Sequence, residues 1–127
     1  MPVTVEWGNN AQTLVVMHLT EPYAMAEVAD GVDQINALME TVSHRVTPAV
    51  DLSAAHSLPK GALGGYNHVA SRMGHPNSTG WLIMIGASRR MKPILDIFSR
   101  VFRKIEYAET LENAAAIAER ASLQPDT

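Results

Sequence analysis

Apolar and polar residues alternate from the start of the chain. Val3, Val5 and Trp7 are separated by Thr4 and Glu6, the period of a strand with one buried face. Gly8-Asn9-Asn10 is a turn signal, and Thr13 to Leu19 follows as a second, more apolar strand, so the two predict an antiparallel hairpin. Thr20, Glu21 and Pro22 read as a helix start, with Pro tolerated in the first turn. Val28, Val32, Ile35, Met39 and Val42 then recur every three or four residues as one helical stripe, with Glu27, Asp30, Asp33 and Glu40 mainly off it. Arg45 to Leu52 predicts a third strand. Pro48 cannot donate to a ladder, so a bulge or a locally unpaired position is expected there.

Ser57 to Pro59 can open a second helix that runs to about Met73. Gly61, Gly64 and Gly65 each cost it about 1 kcal/mol relative to Ala, which close packing would offset. Gly74 to Gly80 reads as a loop; its Asn77-Ser78-Thr79 matches a glycosylation sequon that has no use without a secretion signal. Trp81 to Ile85 is a continuous apolar run, the mark of a strand buried on both faces. Gly86-Ala87-Ser88 leads into a third helix carrying Met91, Ile94, Leu95, Phe98, Val101 and Phe102, and Pro93 places its start near Ser88–Arg90. Ile105 to Ala108 is a last short strand. Thr110 caps a fourth helix with Leu111, Ala114, Ala115, Ile117, Ala118 and Ala121 as its inner face. The order ββαβαβαβα predicts an α/β fold with a mainly parallel sheet and an antiparallel N-terminal strand, one domain over residues 1–127.

The 127 residues are 46% hydrophobic and 18% charged, too apolar for a disordered chain. Zero Cys excludes disulfides, thiolate catalysis and Cys-type zinc sites. No basic-then-apolar leader opens the chain, and no apolar run approaches the roughly 20 residues of a membrane span, so a cytoplasmic protein is expected. The net charge of −3 is unevenly spread: residues 1–44 carry six acids and no Lys or Arg, and residues 45–104 carry nine bases and two acids. Arg89, Arg90, Lys92, Arg100, Arg103 and Lys104 crowd six of the ten bases into sixteen residues. Such a stretch suits an anionic ligand, an acidic protein or the acidic first helix of a second copy; a solvated helix face explains it as well. Duplex nucleic acid would call for a stronger positive balance, so no nucleic-acid partner is expected.

Three segments give the chain a family likeness. They are Ala49-Val50-Asp51-Leu52-Ser53, Gly61-Ala62-Leu63-Gly64, and Ile85-Gly86-Ala87-Ser88 continued through Lys92, Leu95, Phe98 and Ile105 to Leu111. Together with the element order they resemble the STAS, or SpoIIAA-like, domain of anti-sigma-factor antagonists and sulphate-transporter tails. The resemblance implies a non-enzymatic regulatory or protein-interaction module that needs no cofactor. Regulatory members carry an Asp-Ser-Ser-Gly-like motif whose first Ser is phosphorylated. Here the stretch reads Leu58-Pro59-Lys60-Gly61, with Pro59 and Lys60 where the Asp and Ser would fall. The chain is thus similar to the divergent SpoIIAA-like group, whose fold is similar to lipid-carrying CRAL-TRIO domains.

Candidate chemistry gathers where strands end and helices begin, the usual ligand crevice of an open α/β sheet. Ser53, His56, Ser57 and Lys60 leave the third strand, and Ser88, Arg89 and Arg90 leave the fourth. With helix N-termini these residues would make an anion or phosphate site, although Ser57 and Ser88 serve equally as helix caps. Asp51, Ser53 and His56 lie close in sequence, but nothing resembles Gly-x-Ser-x-Gly, and a hydrolase is not expected. His18, His44, His56, His68 and His75 show no His-x-x-x-His spacing, so no metal centre is predicted. An alternative function is a carrier or sensor of a small apolar or amphipathic anionic ligand. Met17, Trp81, Met84, Met91, Leu95 and Phe98 would line its pocket, with a head group at Ser88-Arg89-Arg90. The same side chains would otherwise be core.

Overall fold

The structure is a computed structural model that describes residues 2–55, 69, 71–87 and 102–123. Its elements are β1 (Val3–Trp7), β2 (Leu14–Thr20), α1 (Met25–Glu40), β3 (Thr47–Ala54), β4 (Trp81–Ile85), β5 (Lys104–Ala108) and α2 (Leu111–Ser122). They form an α/β fold around one mixed sheet in the order β1-β2-β3-β4-β5. β1 pairs antiparallel with β2, and every later pair is parallel. The helices expected between β3 and β4 and between β4 and β5 fall almost wholly outside the described residues.

Strand alternation divides the interior into two cores, one on each face of the sheet. Val15, Met17 and Leu19 of β2, Val50 and Leu52 of β3, and Leu82 and Met84 of β4 join the α1 stripe Val28, Val32, Ile35 and Met39. Leu14, Val16, Ala49, Trp81, Ile83 and Ile85 face the other way, against Ala114, Ile117, Ala118 and Ala121 of α2. Every residue of β4 is buried, as a strand covered on both faces requires. A Cβ on Gly31 would stand 2.9 Å from Met17 Cε and from Val3 Cγ1, so glycine lets α1 lie directly on the hairpin.

Three local expectations are corrected. The first helix begins at Met25, not at Pro22, because Tyr23 is drawn into the first core. Tyr23 and Val28 occupy the N′ and N4 positions of a hydrophobic staple, and the Glu27 carboxylate accepts from the Ala24 N–H at 3.0 Å. Leu111, expected on the inner face of the last helix, is 41% exposed. It sits in the first turn, whose cap is Thr110 Oγ1 accepting from the Asn113 N–H at 3.2 Å. Trp81 belongs to the core opposite Met17 and Met84, so these three cannot line one pocket.

Pro48 is accommodated by opening the ladder on one side. Toward β2 the register runs through it without a break. Toward β4, the three steps from Val46 to Ala49 face five steps from Ser78 to Ile83, so the neighbouring chain bows away where Pro48 has no N–H to offer. Below it the Thr47 and Thr79 hydroxyls, both buried, meet at 2.9 Å. Asn77 fastens this loop to the end of α1, where its Nδ2 donates to the carbonyls of Met39 and Val42 at 2.8 and 2.9 Å.

Candidate functional site

Parallel pairing sets His18 of β2 directly beside Asp51 of β3. Both lie in the phase of the α2 face, continuing the rows Leu14–Val16 and Ala49 beyond the part that α2 covers. Glu6 of β1 shares this face, one diagonal step from His18. The imidazole bridges three strands: Nδ1 meets Asp51 Oδ2 at 2.8 Å and Nε2 meets Glu6 Oε1 at 2.9 Å. His18 and Asp51 are half-buried, whereas Glu6 stands 65% exposed at the rim.

Ser53 completes the group. The register between β2 and β3 shifts after His18, so that Thr20 pairs with Ala54 and β3 holds one extra residue. The extra residue folds back on Asp51: the Ser53 N–H and Oγ–H both donate to Asp51 Oδ1, at 3.0 and 2.6 Å. Burial pushes the Asp51 carboxyl up, but the two Ser53 hydrogen bonds, the His18 bond and the attraction of the imidazole outweigh it. The net result holds Asp51 below its ordinary value near 3.8. An ionised Asp51 accepts only, so the His18 Nδ1 is the donor of that bond.

This geometry resembles half of a triad. A carboxylate orients a histidine, but the hydroxyl bonds to the carboxylate and not to the second ring nitrogen, which is engaged by Glu6. The described groups therefore cross-link β1, β2 and β3. No cluster of three or more His, Asp or Glu among the described residues has a metal-binding arrangement.

Of the residues expected at the strand ends, Ser53 is where the strand pattern puts it. His56, Ser57, Lys60, Ser88, Arg89 and Arg90 lie outside the described residues. The two strand ends do meet: Gly86 leaves β4 at φ +65°, and a Cβ there would sit 3.1 Å from Ser53 Cα. The parallel strands follow one another in sequence order, so among the described strands there is no reversal of the kind that opens a crevice in doubly wound folds. Sequence reasoning missed His18 and Glu6. Their signal was phase: Glu6, His18 and Asp51 each occupy the polar position of an alternating strand.

A crevice between α1 and the loop before β4 is lined by Val32, Ile35, Met39, Met73 and Phe102 among others, and its volume is about 10 Å³, room for one water. At its mouth His75 Nδ1 accepts from the Asn77 N–H at 3.0 Å, leaving Nε2 to donate to Glu40 at 2.5 Å. Asp33 pairs with Arg72 at 3.1 Å on the same flank. Among the described residues, no helix is long and apolar enough to cross a membrane. In comparisons with known proteins, no family, curated protein or solved structure matches the chain.

Proposed function

We propose that the chain is a non-enzymatic, STAS-like regulatory or protein-interaction module working in the cytoplasm. The observation that carries this reading is the mutual engagement of Asp51, Ser53 and His18. The hydroxyl and carboxylate that end β3 are tied to each other, and the imidazole is tied to two carboxylates. These groups act as a brace across the sheet. The mixed sheet with an antiparallel first strand, and Asp51-Leu52-Ser53 near the end of β3, support the family likeness. Pro59 and Lys60 stand where the phosphorylation motif would fall, so recognition runs on charge and not on a phosphate switch.

The partner is a protein met through the stretch containing Lys60, Arg89, Arg90 and Lys92, and an acidic surface is its complement. Reversing Arg89 and Arg90 to Glu should weaken binding and flatten its dependence on salt between about 0.05 and 0.5 M. Binding that is unchanged in the variant and at high salt contradicts the assignment. The described part of the interior gives the ligand-carrier alternative less support, and Met91, Leu95 and Phe98 of its expected pocket lie outside the described residues. Met17 and Met84 are closely packed on one face, Trp81 is on the other, and the α1 crevice has no room for an acyl chain.

A further inference from the structure

β5 ends the sheet, and among the described residues its outer edge has no strand beside it. The Ala108 C=O, at the end of the strand, accepts from the Gly86 N–H, toward β4, at 2.9 Å. Alternation along the strand then turns the backbone N–H and C=O of Ile105 and Tyr107 outward. The Lys104 and Glu106 side chains share one face, joined at 2.9 Å between Nζ and Oε1, with Lys104 stacked 4.7 Å above the centre of the Trp81 ring. Tyr107 is 57% exposed on the opposite face.

We propose that β5 pairs antiparallel with β5 of a second copy of this chain, about a twofold axis at Ile105. A base and an acid at i and i+2 are self-complementary in that register alone. Lys104 lies opposite Glu106 of the second copy, and Glu106 opposite its Lys104, on one face of a continuous sheet. The same register pairs the outward backbone groups of Ile105 with those of Ile105 in the second copy through two hydrogen bonds, and it sets the exposed Tyr107 opposite Arg103 of the second copy. β1, at the other edge, carries Glu6 and no base, so it lacks this complementarity. The contact is separate from the basic stretch of the proposed function and stands or falls without it.

Sedimentation across about 10 μM to 1 mM protein suits an interface this small. The wild-type chain is expected to dimerise, and Lys104→Glu or Glu106→Lys alone to weaken the dimer by about tenfold or more, because each sets like charges opposite each other twice. An equimolar mixture of the two single variants should associate as the wild type does, since their strands are complementary to each other. The double variant should also recover dimerisation. A wild-type chain that stays monomeric throughout, single variants that dimerise undiminished, or a mixture that fails to associate would each overturn the proposal.

Discussion

At the scale of single residues, Asp51 is the hinge of the account. Folding lowers its pKa, so the folded chain holds that proton less tightly than the unfolded chain. The stabilisation is fully present above the ordinary value near 3.8 and is lost as pH falls through the depressed folded value. Asp51→Asn should remove this part of the acid dependence and lower stability at neutral pH by about 1–2 kcal/mol, measured by urea unfolding from pH 2 to 7. A variant whose acid limb overlays that of the wild type would show that the brace contributes nothing. Ser53→Ala, which deletes the 2.6 Å hydroxyl bond, should raise the Asp51 pKa, followed by carboxyl NMR titration. This residue-level brace was half legible in the sequence. Asp51 and Ser53 are neighbours on one strand, and their shared face follows from period two. The His18 and Glu6 partners depend on which strands pair and in what register, and those are set by long-range packing that alternation does not encode.

At the scale of elements, the ends decide more than the middles. The α1 stripe, the buried β4 run and the Thr110 cap are local signals of period or of a single side chain, and all were readable. The start of α1 was not, because Pro22 is compatible with a first turn and only burial of Tyr23 moves the boundary to Met25. Asn77 shows the same difficulty: as part of a sequon it suggests an exposed site, whereas in the fold its amide closes the last turn of α1. Asn77→Ala should destabilise the chain by about 1–2 kcal/mol, seen as a lower urea midpoint with unchanged slope. Gly86→Ala, which forces a Cβ against Ser53 at positive φ, should cost about 1–3 kcal/mol and shift the amide resonances at the end of β3. Wild-type stability in either variant would mean that these junctions are looser than the geometry indicates.

At the scale of the whole molecule, the sheet is an ordered stack of parallel strands started by a hairpin, with acids concentrated early in the chain and bases in its middle. The element order and the α/β class follow from the hydrophobic pattern. Strand order does not, because the pattern gives the type of each connection and not its neighbours. The functional proposal belongs to this scale, since a braced strand end and a segregated charge distribution suit recognition of a surface better than turnover of a substrate. The most direct test is native mass spectrometry of the protein purified gently from its own cells, beside the Arg89→Glu/Arg90→Glu variant and at two salt concentrations. The account predicts a protein complex of defined stoichiometry that the variant and high salt both dissociate. A small molecule retained by the wild type and lost by the variant would contradict it in favour of a carrier, and a bare monomer in every preparation would leave it without a partner.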